Sequence, residues 1–362
     1  MRKRNGLKSA AVALAAFALV ASACGGDDAA DDTATEDTAA EETTEETTAP
    51  LPGAGILACM VTDTGGVDDK GFNQISYEGM KMAEAELGVT IDLLESSSDA
   101  DYAPNLQAFA DKGCNITVTV GFLLGDATKA AAEANTDLNY AIVDFAYDPP
   151  VANARGLVFA TDQPSFMAGY MAAAMTKTGT VATYGGVNIP PVTVFMEGFR
   201  LGVEYYNAQK GATVKLLGWD GKDGTFAGNF ESLDDGKNIA KSQADEGADI
   251  IFPVAGPVGL GSAQFAKESG GKVRIVGVDV DMSKSNPDAA EVYIASVLKN
   301  IDAAVFAAIK DTVEGAATSD NYVGTLENGG VGVAFTDVPA DIQAEVEAIG
   351  AGIADGSIKI GG

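Results

Sequence analysis

Residues 62–74 place Asp63, Asp68, Asp69, Phe72, Asn73 and Gln74 within one short stretch that also holds Gly65, Gly66 and Gly71. Carboxylates accept from hydroxyl and N–H groups, an amide offers a donor beside an acceptor, and a phenyl ring packs on a flat partner. Together they suit a small polar ligand that carries a planar ring. The same stretch also reads as an ordinary strand-to-helix turn in which Asp68 and Asp69 cap the following helix. Further acids stand at Asp144 and at the spaced pair Asp279 and Asp281, with Lys299 as the basic candidate. Asp68/Asp69 and Asp279/Asp281 are the candidate pairs for a nucleoside or glycoside hydrolase. That chemistry needs one acid held protonated and room for a water. The chain has no histidine, which removes Ser-His-Asp and Cys-His nucleophile systems and His-based zinc sites. No catalytic residue, metal or cofactor is expected, and binding is preferred to catalysis.

These residues must be positioned by the elements around them. Residues 56–61 form an apolar run that reads as a buried strand. Ile75, Gly79, Met80, Ala83 and Leu87 then share one face of a helix. A strand opening through glycines onto a helix N-terminus presents free backbone N–H groups and a positive dipole end. Apolar, β-branched runs alternate with helical patterns along nearly all of the chain beyond residue 54. One series of strands is read at 55–62, 89–94, 115–121, 139–145 and 156–160. A second is read at 179–184, 213–218, 248–253 and 273–279, with weaker candidates at 292–296 and 331–335. Strands apolar on both faces between helices imply parallel sheets covered on both sides. The fold class is therefore α/β, with two doubly wound parallel-sheet lobes joined by a hinge. Ligands in such sheets sit beyond the carboxyl ends of the strands. Asp63, Asp144, Trp219, Gly256, Asp279 and Asp281 fall there. The glycine-rich run 256–261 lacks dinucleotide spacing and reads as a turn lining the cleft. Phe72 and Phe230 read either as ligand-facing rings or as core, and Lys299 either as a ligand donor or as a solvated helix lysine.

The chain begins with basic Arg2, Lys3, Arg4 and Lys8, then an apolar stretch at 10–21 too short to span a bilayer, then small residues before Cys24. This reads as a signal peptide over 1–23 and a lipidated Cys24, with ordinary signal cleavage as the alternative. Residues 24–53 are small, polar and acidic, a disordered tether that cannot bury enough apolar surface to fold. Anchoring through lipid on the extracytoplasmic side of the cell membrane follows, in an oxidising compartment. Cys59 and Cys114 then remain as an even pair, which favours a disulfide over two buried thiols. The net charge is −29; the first 50 residues hold 4 of the 23 basic and 10 of the 52 acidic residues, so the rest keeps 19 and 42. A body this acidic repels phosphate backbones, and no nucleic acid polymer is expected as a partner.

An ordered set of motifs resembles the basic membrane protein family of bacterial substrate-binding lipoproteins. It runs from Asp63 through Asp69, Phe72, Asn73 and Gln74, through Asp144 and Phe145, and through Asn229, Phe230 and Asp234–Lys237. It continues through 247–256, then Asp279 and Asp281, then 296–300. Met282 and the segment 221–228 depart from the pattern. The resemblance implies a nucleoside ligand, purine favoured, held between two lobes and passed to an ABC permease, by a monomer. It implies that Asp279, or less favourably Asp281, takes the ribose 2′ and 3′ hydroxyls, with Lys299 donating to a ribose oxygen. Asp63, Asp144 and Asn73 then read sugar or base edge, Phe72 and Phe230 sandwich the base, and Asp69, Gln74 and Gly256 complete the site. A sugar or polyol ligand in the same fold is the alternative. The expected lobes are 54–162 with about 296–320, and 163–295 with part of 321–362.

Overall fold

The computed structural model describes residues 50–361. The signal segment, Cys24 and the tether up to residue 49 lie outside the described residues. Gly53, expected at the tether's end, is instead buried, and its N–H donates to the Leu87 carbonyl (2.7 Å). Regular packing therefore begins before residue 54.

Strands and helices alternate from the start: β1 (Leu57–Thr62), α1 (Phe72–Leu87), β2 (Thr90–Leu94), α2 (Tyr102–Lys112), β3 (Ile116–Val120), α3 (Gly125–Ala134), β4 (Asn139–Val143) and β5 (Ala154–Phe159). The chain then crosses to a second series. This comprises α4 (Asp162–Met175), β6 (Thr180–Gly185), α5 (Pro190–Lys210), β7 (Lys215–Leu217), α6 (Leu233–Asp245), β8 (Ile250–Val254), α7 (Val258–Glu268), β9 (Arg274–Asp279), the one-turn α8 (Met282–Ser285) and β10 (Tyr293–Lys299). The last elements are α9 (Ile301–Val313), β11 (Tyr322–Gly324), β12 (Val331–Phe335) and α10 (Ala340–Ala354).

Two six-stranded sheets result, ordered β11-β5-β4-β3-β1-β2 and β12-β10-β9-β8-β6-β7. Every pairing is parallel except β12 against β10. β1 and β3 are buried almost throughout, as parallel strands covered on both faces must be. Helix α9 packs its buried Ile301, Ala304, Val305 and Ile309 into the first lobe's core with Met80 and Ala83 of α1. The chain thus passes between lobes three times: after β5, between β10 and α9, and between β11 and β12. Two boundaries differ from the sequence reading. Ser296–Lys299, expected in the first lobe, continue β10 in the second sheet, and residues 322–324 return to the first sheet as β11. Cys59 on β1 and Cys114 just before β3 are joined, with Cα atoms 6.0 Å apart.

Candidate functional site

The carboxyl ends of both sheets face one another across a cleft of about 670 Å³ of empty space. Its residues come from strand ends and the turns after them. Asp63 and Thr64 follow β1, Gly121 and Phe122 follow β3, and Asp144 follows β4. From the second lobe Ala255 and Gly256 follow β8, while Asp279 and Lys299 end β9 and β10. Phe72 and Asn73 open α1, so their side chains enter from the helix start.

Asp69 organises that helix start. Its Oδ1 accepts from the N–H groups of Gly71 (2.9 Å) and Gln74 (3.0 Å), and its Oδ2 from that of Asn73 (2.8 Å). These are donors that a helix leaves unpaired. Asp69 lines the cleft, but its carboxylate is committed to the backbone; the helix-capping reading describes it. Burial pushes its pKa up, against the pull of the three amides.

Lys299 lies at the centre of the site and is 2% exposed. Its Nζ donates to Asp144 Oδ2 at 2.5 Å across the lobes. The ammonium also stands 4.8 Å from the Phe72 ring centroid, 5.3 Å from Phe159 and 5.8 Å from Phe195, within cation–π range of all three faces. The solvated-lysine reading is thereby set aside. Asp144 and Asp279 both adopt positive φ, 69° and 67°. That left-handed region is sparsely used by non-glycine residues and is found where surrounding structure holds a functional group in place. Burial pushes Asp144 up, with Lys299 pulling it back. Burial raises Asp279 to about 6, with Lys299 opposing and Asp144 and Asp69 adding to the rise. Asp63 is pushed to about 8 by burial, against a hydrogen bond from Asn73 and with Asp69 and Asp144 adding. Four carboxyls, one of them committed to the start of α1, and one lysine therefore share the cleft, and the lysine is already paired with Asp144.

Two glycines make room for this wall. A Cβ on Gly121, whose φ is +116°, would stand 2.4 Å from Asp63 Oδ2; one on Gly186 would stand 2.2 Å from the Phe230 ring. Phe230 thus lies flush against the end of β6 and lines the cleft from the second lobe, as Phe72 does from the first.

Gln74 and Asp281, expected as contributors, do not line the cleft. Gln74 is tied to the cleft region through its backbone N–H on Asp69. Asp281 turns to the start of α8, where it accepts from Ser283 N–H and Oγ and pairs with Lys284 at 2.9 Å. The Asp279/Asp281 pair of a hydrolase is consequently not assembled, and Asp69 is fully occupied by amides. Ile189, Pro191, Val192 and Phe195, at the start of α5, line the cleft without having been singled out from sequence. Their signal was the strand end at β6, but a run of apolar residues opening a helix also describes ordinary core. Among the described residues no cluster is placed to hold a metal ion, and no helix is long and apolar enough to cross a membrane.

Two doubly wound lobes, three crossings between them, and an acid- and aromatic-lined cleft where the strand ends meet define a solute-binding protein of the kind that serves ABC transporters. Residues 56–350 match the family described as ABC transporter substrate-binding protein, PnrA-like. The chain belongs to that family, and it is a binding protein rather than an enzyme. It is 34% identical over 226 residues to basic membrane protein A of Borreliella burgdorferi, spanning 62% of this chain and 63% of that one. To the Lactococcus lactis protein named ABC transporter nucleoside-binding protein BmpA it is 29% identical, over 84% of this chain and 88% of the relative. A solute-binding protein of an ABC transporter from Aeropyrum pernix superposes with a TM-score of 0.76 at 25% identity, covering 84% of this chain and 92% of that one.

Proposed function

We propose that this ABC substrate-binding protein captures a nucleoside, a purine nucleoside by preference, and delivers it to its membrane permease. The observation that carries this reading is that one cleft is lined by Phe72 from the first lobe and Phe230 from the second, together with Asp279 and Lys299. Two rings on opposite lobes suit a planar base; base–aromatic stacking is worth about 1–3 kcal/mol per base in nucleic-acid sites. A carboxylate beside an ammonium suits adjacent ribose hydroxyls. Because ligand contacts come from both lobes, binding favours the closed arrangement. The Lactococcus relative's name supports the same ligand class. A free sugar fills only the polar half of such a cleft. The lipid anchor at Cys24 belongs to this proposal: it holds the chain beside the permease on the outer face of the membrane, as a monomer.

Mass spectrometry of ligand released from the purified protein, followed by calorimetry with ribonucleosides and their 2′,3′-dideoxy counterparts, tests the reading. A released nucleoside and a loss of affinity without the hydroxyls are expected. Equal affinity for both forms would remove the ribose assignment of Asp279, and a released sugar would remove the nucleoside. Replacing Cys24 by alanine should free the protein from membranes; unchanged retention would sink the anchor.

A further inference from the structure

Residues 218–232 include the segment that departs from the family pattern, and they lie behind the aromatic wall of the second lobe. The chain leaves β7 at Gly218 and folds back as a short hairpin. Asp220 N–H donates to the Asp223 carbonyl (3.1 Å), Thr225 N–H donates to the Gly218 carbonyl (2.9 Å), and Trp219 bridges Gly224 in the antiparallel sense. The hairpin is tight: a Cβ on Gly224 would stand 2.6 Å from the Trp219 ring. Residues 225–228 then run along the carboxyl end of β6 as an added parallel segment. Gly185 N–H donates to the Thr225 carbonyl (3.0 Å), and the carbonyls of Gly185 and Gly186 accept from Ala227 (2.9 Å) and Gly228 (2.8 Å). Asn229 makes the next turn. Its Oδ1 accepts from the N–H groups of Glu231 and Ser232, and its Nδ2 donates to Asp235 of α6 at 2.9 Å. Phe230 sits on that turn, against Gly186.

Trp219 holds the near end of this segment. It is the single tryptophan of the chain, is 9% exposed and does not line the cleft. Its ring packs edge-on against Phe226 with centroids 6.3 Å apart, and its Nε1–H donates to Glu197 Oε2 at 2.8 Å. Glu197, on α5, is gripped in turn by Arg200, whose Nε donates to Oε2 at 2.9 Å and whose Nη2 donates to Oε1 at 2.6 Å. A two-pronged guanidinium fixes a carboxylate in direction as well as place, and it holds Glu197 below its usual pKa. The indole is therefore locked to α5, the helix whose first turns supply Val192 and Phe195 to the cleft. A one-residue slip of an extended segment turns each side chain to the other face. Pinning Trp219 thus fixes the register of residues 225–228 on β6, and with it the place of the rings that follow.

We propose that Trp219, locked by Glu197 and Arg200, is a positioning residue for ligand capture: through its hairpin and residues 225–228 it sets Phe230 in the cleft wall, and so governs how tightly a planar base is held without touching the ligand. This rests on the nucleoside reading above and adds to it a residue outside the cleft. A ring contributes to binding only where the structure behind it keeps it in place. On the far side Asn229 ties the turn to α6; on the near side the indole ties the hairpin to α5. Phe230 lies between the two ties, and loss of either lets the ring leave its stacking position.

A double-mutant cycle on the full chain tests this, with Trp219→Leu, Phe230→Ala and the two together, read by calorimetry with adenosine, guanosine, uridine and cytidine well below each variant's melting temperature. Phe230→Ala is expected to lose at least about fivefold in affinity for the nucleoside that binds best, the lower end of a base-stacking contribution. Trp219→Leu should lose affinity in the same direction, and the double variant should be no weaker than Phe230→Ala alone, because Trp219 acts through that ring. The same cycle with Trp219→Phe, which keeps a ring on Phe226 and removes only the N–H, serves where the leucine variant does not fold; it should show a smaller loss that again vanishes on the Phe230→Ala background. A double variant that loses the product of the two single losses would overturn the proposal and leave the nucleoside ligand in place, and so would unchanged affinity in the folded Trp219 variants. Binding of none of the four ribonucleosides by the unaltered chain would overturn the nucleoside reading and this proposal with it.

Discussion

Replacing Lys299 by methionine isolates the electrostatics of the cleft. Methionine keeps an unbranched chain among Phe72, Phe159 and Phe195, so packing is largely retained, and only the ammonium is lost. Asp144, 2.5 Å from that ammonium in the intact protein, is then buried without a counter-charge. Two outcomes are open to it: to stay ionised, at the cost of a broken buried pair, about 3–5 kcal/mol, or to take up a proton. Protonation at pH 7 costs about 1.4 kcal/mol for each unit between pH 7 and the ordinary aspartate value, about 4 kcal/mol in all. Burial already raises Asp144 in the intact protein, so these limits bound the difference from above, and a loss of up to about 4 kcal/mol at pH 7 is expected. The pH dependence separates the mechanism from a packing defect. In the variant the native carboxyl titrates above its unfolded value, so the native state holds the extra proton and stability falls as pH rises. At pH 5 the cost of protonation shrinks to about 1.5 kcal/mol. Urea melts of both proteins at pH 5 and pH 7 read this directly. A deficit that is the same at both pH values would refute the reasoning and assign the effect to packing.

Asp279, raised to about 6 by burial, should accept ribose hydroxyls best when ionised; nucleoside affinity should fall about tenfold per unit below pH 6, and a flat profile between pH 4.5 and 7 would count against its role. Removing the Asp279 carboxylate altogether, as Asp279→Ala, should cost at least about tenfold in ribonucleoside affinity, with calorimetry as the measure. Phe230→Ala should weaken nucleoside binding more than ribose binding at little change in melting temperature; a large melting shift with unchanged affinity would make the ring core. Opening the Cys59–Cys114 bridge, whose ends are 55 residues apart, should lower stability by up to about 4 kcal/mol on the loop-entropy estimate, read from urea midpoints with and without reductant. Ser285 Oγ donates to the Lys70 carbonyl, and apart from Lys299–Asp144 it is the hydrogen bond that spans the lobes away from the crossings among the described residues. Ser285→Ala should therefore speed ligand release several-fold, measured by stopped flow, with Ser285→Thr restoring it.

The alternation of apolar strands and helical patterns made both lobes legible, and the strand-end rule led directly to Asp63, Asp144 and Asp279. What escaped was set by tertiary context. β11 is three residues long, too short for any period to show, and takes its place only because β5 offers an edge. Lys299 reads locally as the start of a helix; its burial follows from β10 extending to residue 299 and meeting Asp144 from another lobe. Asp281 shares its spacing with Asp279, but the turn into α8 rotates it away. Phe195 belongs to an apolar helix face that sequence alone assigns to core, and in the fold that face reaches the cleft. Asp69 had two readings, and only the three backbone donors around it decide between them.

The three crossings have a consequence for how the molecule comes into being. A chain made from its N-terminus presents β1 to β5 long before α9 and β11 exist. Until residue 313 has emerged, the face of α1 that receives Ile301, Val305 and Ile309 has nothing to bury it. The first sheet likewise keeps an open β5 edge until residue 324. The early half cannot finish before the late half has nearly all arrived, so a product stopped short of about residue 300 should be a sticky intermediate rather than a stable lobe. The first lobe therefore completes its burial only after its C-terminal elements have been made, and its open surface has to be kept from aggregation for the interval before that.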